Sequence, residues 1–438
     1  MAKKKLMKIC FFSKYPPIEG GVSSKTYWLS RALGKRGVEV HIVTNALAVE
    51  KEYRQNIDFA SQKDLKEYQP ENVFVHSVKG PASFRAPFSF AYFEKLIASD
   101  EKAVKEHRYD LIKEAMFFHI PFSPAYLERL ISLGVKVIKE HRCSLIDSYY
   151  FQPYGLAAVF SKILTSKPCI LRHAGSDISK LFLNEELHDL YKNVFKFADI
   201  ITTGSVHMPV FKACGIADDK LWPISGVAVD SEYFNPKIKP ADLLELGVPA
   251  RSLKKPVLLY LGKFSTRKGL AELVQVAAEV KDDFLLLFVT GGGGLKEFEE
   301  RVASIRSLKN KYCFLNFLPP WKIPGLLRAS DCLIHLENNF PVKPHSSHQP
   351  LEAMACGTPV LMSEDICRSY PNLKKNEHAL VADPNNHNDL KSAFLKIVKN
   401  TGQIKRIGQK GHQEIFGKKE FEKSVASRLS LYRKLLKS

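Results

Sequence analysis

His345-Ser346-Ser347-His348-Gln349-Pro350-Leu351-Glu352-Ala353-Met354-Ala355-Cys356-Gly357-Thr358-Pro359-Val360 is the stretch from which the rest of the chain is read. It has the form of a loop feeding a short helix that Gly357 closes, followed by an apolar run over 360–362 that begins a strand. Glu352 is expected on the first helical turn, where the helix dipole favours a carboxylate, and the free amides just ahead of it suit an anionic group. One element of this kind can hold both a hydroxyl pair and a phosphate. A capped helix whose glutamate serves only the dipole would carry the same residues, so the neighbouring segments decide.

Upstream, residues 257–261 read as a strand that runs straight into Gly262-Lys263-Phe264-Ser265-Thr266-Arg267-Lys268-Gly269 and then a helix over 270–280. Two lysines flank a tight strand-to-helix loop. Fixed cations at such a loop would stabilise negative charge on a bound phosphate. Each lysine alone would read as a solvated surface charge. Residues 284–290 form a wholly apolar strand ahead of Gly291-Gly292-Gly293-Gly294, a turn that contributes shape and no base-reading side chain. No Lys-Ser/Thr follows, which excludes the phosphate loop of ATPases. Strands are expected at 312–317 and 332–336, closing helices at 385–399 and 401–415, and a basic amphipathic helix at 420–436, read as packing ahead of a membrane-surface role.

In the first half, residues 7–12 are an apolar run followed by Pro16-Pro17-Ile18-Glu19-Gly20-Gly21. Val22, Thr26, Leu29 and Leu33 then fall on one face of a helix, and after Gly37 a second strand spans 38–43, a unit typical of parallel sheets. Gly20 and Gly21 sit at the carboxyl end of the first strand, where open α/β sheets bind ligands and where glycine lets backbone amides approach closely. A plain turn explains them equally well. Residues 46–105 are less regular and carry Phe84, Phe88, Phe90, Tyr92 and Phe93, read as packing before lipid contact.

Alternation resumes with a strand at 144–150, a helix at 153–164 and a strand at 168–171, followed by Arg172-His173-Ala174-Gly175-Ser176-Asp177. A neutral imidazole at His173 can donate to or accept from a hydroxyl, although a loop histidine bonded within the fold is the alternative. A further strand at 199–203 and helix at 207–214 precede Gly226-Val227-Ala228-Val229-Asp230 and Phe234-Asn235-Pro236. Residues 237–255 are polar and punctuated by proline, as a linker would be.

A chain of 438 residues exceeds one ordinary core and implies two domains of about 200 residues each. The 65 basic against 46 acidic residues give a formal charge of +19, which points to anionic partners such as nucleotide diphosphates or anionic lipid surfaces. No zinc-finger spacing or RNP-like aromatic motif accompanies that charge, so nucleic acid ranks last. The eight cysteines contain no C-x-x-C pair and read as buried hydrophobes in a reducing compartment, not as disulfides or a metal site. Residues 6–12 are interrupted by Lys8 and too short for a signal segment, and no run approaches the ~20 apolar residues of a spanning helix. A cytoplasmic protein is expected, with peripheral contact to an anionic membrane left open.

On these motifs the chain resembles the retaining GT-B glycosyltransferases of the group 1, or family-four, type. Residues 262–269 match that family's Gly-Arg/Lys-x-x-x-x-Lys-Gly, and Glu352 with Ala353-Met354-Ala355-Cys356-Gly357-Thr358-Pro359-Val360 matches the second glutamate of its E-x7-E segment and the run after it. Residues 172–177 are similar to its His-Gly-x-Asp with Ala174 inserted, and 226–236 to its G-V-D-x-x-x-F-x-P, lengthened by Ala228-Val229. The resemblance implies an α/β GT-B fold, two Rossmann-like domains with parallel sheets facing an interdomain cleft. Its parts would be an acceptor-side domain over 1–236, a linker over 237–255, a nucleotide-sugar-binding domain over 256–416, and a helix over 417–438 returning to the first domain.

The same resemblance implies His173, Lys263, Lys268 and Glu352 as catalytic residues, with Glu352 accepting both ribose hydroxyls. It places Gly262, Gly291, Gly292, His345, Ser346 and Leu351 around the donor and Gly20, Gly21 and Asp177 on the acceptor side. The first glutamate of the segment is replaced by Pro344, which leaves the donor sugar open and makes His345 or Ser346 the candidate substitute. The implied reaction moves a hexose from a nucleotide diphosphate sugar to a glycan or lipid-linked acceptor, as in polysaccharide biosynthesis. It keeps the anomeric configuration by front-face attack, the departing phosphate taking the acceptor's proton. The nucleotide sugar is a substrate and no cofactor is expected; no Asp-x-Asp occurs, so no divalent metal is expected either. A nucleotide-sugar epimerase on the same scaffold and a non-catalytic nucleotide-sugar-binding subunit remain the alternatives.

Overall fold

Apolar strands alternating with amphipathic helices build two parallel sheets, each ordered so that its first strand lies centrally. The computed structural model describes residues 7–49, 51–78, 124–174, 177–178, 181, 186–224, 228–338, 347–415 and 419–437. They divide into two compact units, one formed by residues before 226 with those from 423 onward, the other by the stretch between.

The first unit runs β1 (Met7–Ser13), α1 (Gly21–Lys35), β2 (Val38–Thr44), α2 (Gln62–Tyr68), β3 (Val73–Ser77), α3 (Pro124–His141), β4 (Leu145–Tyr149), α4 (Leu156–Thr165), β5 (Cys169–Arg172), α5 (His188–Phe197), β6 (Ile200–Thr203), α6 (Met208–Ala213) and β7 (Leu221–Pro223). The strand order is β3-β2-β1-β4-β5-β6-β7, and every pair is parallel. α1 forms because Thr26, Leu29 and Leu33 recur on one face and are buried, and Gly37 at φ +77° lets the chain turn into β2. α3 crosses β1 at Gly134, where any Cβ would enter the Phe12 ring.

The second unit runs β8 (Val257–Leu261), α7 (Leu270–Glu279), β9 (Leu285–Val289), α8 (Leu295–Ser304), β10 (Tyr312–Leu315), α9 (Ile323–Arg328), β11 (Cys332–His335), α10 (His348–Ala355), β12 (Val360–Ser363), α11 (Glu364–Arg368), β13 (Leu380–Ala382), α12 (His387–Lys399) and α13 (Thr401–Ile415). Its order, β10-β9-β8-β11-β12-β13, repeats the first unit's pattern, again all parallel. β8 and β9 are buried along their whole length, as strands covered by helices on both faces must be.

The last helix, α14 (Glu420–Leu435), buries Val425, Arg428, Leu429, Leu431 and Tyr432, and from Lys423 onward it packs in the first unit. Arg428 Nε lies 3.2 Å from Asp147 Oδ2 and its Nη1 donates to Thr202 Oγ1, while the Tyr432 hydroxyl donates to Asp147 Oδ2. An ion pair 6% and 0% exposed is thus closed over by a helix some 280 positions along the chain. Burial raises the Asp147 carboxyl above its ordinary range, and Arg428 and Tyr432 pull it back.

Several expectations need correction. Residues 46–105 contain a regular helix and strand, α2 and β3, which the sequence reading left irregular. The helix expected over 153–164 is split: a π-turn, Phe151–Gly155, with Gln152 in an extended conformation, precedes α4. Glu352 stands on the second turn of α10, because the helix already begins at His348 with Ser347 as its N-cap, so the dipole argument for its placement weakens. The stretch 237–255, expected as a linker, is packed on the second unit, with Leu243 and Val248 buried and Ala241 N donating to Gly325 O. Pro344, His345, Ser346 and the aromatic group Phe84, Phe88, Phe90, Tyr92 and Phe93 lie outside the described residues. Among the described residues no helix is long and apolar enough to cross a membrane.

Candidate functional site

In sheets of this order, ligands gather outside the carboxyl ends of the strands flanking the point where the winding reverses. In the second unit that point lies between β8 and β11. β8 delivers Gly262 and Lys263; β11 delivers His335, Leu336 and Glu337. Gly262, at φ +137°, bonds its N–H to Val289 O, and Phe264 N–H donates to Gly291 O, so the loop after β8 is laced to the glycine turn after β9. Phe264 anchors that loop by its ring, 5.0 Å from the Phe298 ring. Gly292 and Gly294 both have positive φ, at +103° and +81°.

A Cβ on Gly262 would stand 3.3 Å from Lys268 Nζ and within 3.9 Å of both polar atoms of the Gln349 side chain. Lys268 and the first turn of α10 therefore meet over Gly262, and Glu352 follows one turn later on the same helix, 8% exposed. Lys268 Nζ lies 3.5 Å from Glu337 Oε2, and His335 Nε2 lies 3.5 Å from the same oxygen. The Tyr260 hydroxyl donates to Lys263 O at 2.7 Å, fixing the backbone at the start of the lysine loop. Tyr370 donates to Ser347 O at the cap of α10, and burial raises its phenol, with the Glu337 and Glu352 charges adding to it. Leu351 is buried in α10. Lys263, Lys268, Gly262, Gly291, Gly292 and Glu352 thus come from one edge of one sheet. Glu337, His335, Gln349 and Tyr370 join them; Gln349 lies in the opening stretch without a role assigned to it, the only sequence signal for His335 and Glu337 is polar residues at the end of the apolar run of β11, and Tyr370 has none.

In the first unit the reversal lies between β1 and β4. Gly20, at φ +109°, and Gly21 open α1, and a Cβ on either would meet nothing within 4 Å. His173 is 6% exposed; its Nε2 is 2.7 Å from Thr203 Oγ1, and its Nδ1 is 3.1 Å from Ala174 O. The His207 ring meets it edge-on at 4.8 Å. Asp177 is fully buried, and its Oδ2 accepts from the N–H groups of Phe151 and Ala174, which fixes the turn after β5. His173 is in this respect a loop histidine bonded within the fold.

The sequence reading missed the charged ring around these groups. Lys14 follows β1 and lies with Nζ 4.9 Å from the Tyr150 ring; burial pulls its ammonium down to about 8, against the opposing pull of Asp177. The Tyr149 phenol is raised by burial, but Lys25 and Arg172 outweigh that and hold it below its ordinary value. The Arg172 guanidinium stands 4.3 Å from the Tyr149 ring centroid. Tyr150 itself has φ +86°, a conformation that an aromatic residue adopts only when its surroundings impose it, and such residues cluster at functional sites.

Residues 247–414 match the family model described as glycosyl transferases group 1, which bears out the resemblance for the second unit. The 2-deoxystreptamine glucosyltransferase of Streptomyces kanamyceticus is 33% identical over 108 residues, 24% of this chain and 27% of that protein. An uncharacterized glycosyltransferase of Bacillus subtilis, YqgM, is 28% identical over 200 residues, 44% of this chain and 52% of its own. The chain therefore spans about a quarter to a half of the length of these curated relatives. Among solved structures, sucrose-phosphate synthase from Thermosynechococcus elongatus superposes with a TM-score of 0.60 at 17% identity, covering 98% of this chain and 99% of that one. HepE of Anabaena, in complex with UDP and glucose, superposes at 0.62 with 15% identity, covering 97% and 99%. The fold is that of the GT-B glycosyltransferases.

Proposed function

We propose that this chain is a glycosyltransferase that moves a hexose from a nucleotide diphosphate sugar to a glycan or lipid-linked acceptor with retention of configuration. The observation that carries the reading is Lys268, set beside the glycine of the β8 loop and the first turn of the helix bearing Glu352. In this reading the diphosphate lies against Lys268, Lys263 and the loop amides, and Glu352 accepts from the ribose hydroxyls. Charge developing on the leaving phosphate is met by fixed cations, and no bound metal or cofactor is required. In this reading the first unit supplies the acceptor side through Gly20 and Gly21, His173 meets the transferred sugar, and Asp177 acts by holding the turn after β5, with Lys14 nearby. The departing phosphate takes the acceptor's proton at the face from which it left. The eight free cysteines fit a cytoplasmic enzyme, and the charge of +19 fits an acceptor at an anionic membrane.

The test incubates the protein with UDP-, GDP- and ADP-sugars and follows nucleotide release and the anomeric signal of the product by NMR. Transfer or slow hydrolysis with retained configuration is expected, unchanged when Mg2+ or Mn2+ is added. Isomerised donor would make the chain an epimerase, and binding without turnover would make it a non-catalytic subunit.

A further inference from the structure

β2 and β3 pair with Val43 opposite His76 and His41 opposite Phe74, which puts His41 and His76 on one face of the sheet. His141, the last residue of α3, stacks on His41 with ring centroids 4.0 Å apart. One nitrogen from each of the three histidines lies within 4.8 Å of the other two. His41 Nδ1 and His76 Nε2 are 3.1 Å apart. Tetrahedral zinc with Zn–N bonds of 2.0–2.1 Å separates its ligand nitrogens by about 3.3 Å.

The tautomer follows from the partners. His41 Nε2 lies 2.8 Å from Glu39 Oε1, and a carboxylate only accepts, so the hydrogen of His41 sits on Nε2 and the Nδ1 lone pair faces His76. Glu39 is held in turn by Lys8 Nζ at 2.8 Å. A carboxylate bound to the far nitrogen of an imidazole is the support that orients histidine ligands in metal sites. The negative end of the α3 dipole beside His141 also favours a cation.

We propose that His41, His76 and His141 form a zinc site, with water as fourth ligand and Glu39 as the positioning carboxylate. Imidazole nitrogen suits a borderline divalent ion, and three such donors exclude Mg2+ and Ca2+, which take oxygen. On binding, the hydrogen bond between His41 and His76 gives way to two metal bonds. His76 moves its hydrogen to Nδ1, so no proton is lost. His141 turns its ring to bring its lone pair to the metal, and the ion ties the edge of the sheet to the end of α3.

The test adds Zn2+ alone to the untagged full chain after chelator treatment, with Co2+ as the spectroscopic stand-in. One equivalent of Zn2+ should bind, and Co2+ should give the visible absorption of a four-coordinate site. His76→Gln and His141→Gln should each weaken binding more than about 100-fold, and Glu39→Gln about 10- to 100-fold. His387→Gln, on the second unit, should leave it unchanged. Failure of the intact chain to take up Zn2+ at micromolar concentrations, or wild-type binding by both histidine variants, would overturn the proposal. If a histidine variant loses its circular dichroism, Glu39→Gln decides: an unaltered Co2+ spectrum and affinity overturn the proposal, and weakened binding upholds it.

Discussion

Lys268 and Glu337 let a pair of substitutions separate two roles. Their charged atoms are 3.5 Å apart, with the side chains 21% and 5% exposed. At an effective dielectric near 20, unit charges at that distance attract by about 5 kcal/mol, most of which desolvation offsets. Removing one partner leaves the other buried and uncompensated, at about 3–5 kcal/mol for a fully buried pair. Lys268 partly reaches water and Glu337 keeps His335 beside the same oxygen, so about 2–3 kcal/mol is expected for Lys268→Ala. If Lys268 also meets the leaving diphosphate, kcat should fall about 100- to 1000-fold. Adding Glu337→Gln removes the carboxylate charge that Lys268 balanced. The double variant should therefore recover most of the stability, read by urea unfolding, and none of the turnover, read by nucleotide release. Turnover of the double variant within about tenfold of wild type would refute the reasoning, because Lys268 would then serve Glu337 and not the substrate.

Gly269→Ala should destabilise the second unit by about 2–4 kcal/mol, since φ is +65° there and the added Cβ would stand 2.6 Å from Leu336 Cβ; urea midpoints check this. Arg428→Met should cost the first unit about 3–5 kcal/mol at neutral pH by leaving Asp147 buried and ionised. The Asp147 carboxyl is raised in the folded state, so stability present below its unfolded pKa is lost as pH rises through the folded one, and the Arg428→Met deficit should shrink on acidification. Lys14→Met should raise the melting temperature below pH 8. Because burial lowers Lys14 from 10.5 to about 8, the unfolded chain holds more protons between those values, and the variant's advantage should fade as pH rises across that window.

What could be read from the sequence was what lies close together in it. The lysine loop is a strand, a turn and a helix within residues 257–279, and its letters alone place Gly262, Lys268 and Gly269. β3 escaped notice because Val73-Phe74-Val75-His76-Ser77 is an edge strand with Phe74 44% exposed, so it lacks the continuous apolar run of its buried neighbours. The start of α10 was misjudged by one turn because His348 and Gln349 are polar and Ser347 caps through its backbone position without a side-chain bond. Lys14, Tyr150 and Glu337 lacked any local signal of another sort. The strand order seats Ser13 against Tyr149, 136 positions away, and β11 against β8 by the same reversal. A lysine after β1 becomes unusual only when β4 and the Asp177 turn close around it, and Glu337 becomes a partner for Lys268 only when β11 lies beside β8. Both sheets reverse at the same place in their winding, so the residue that follows each flanking strand is where chemistry concentrates, whether or not a motif marks it.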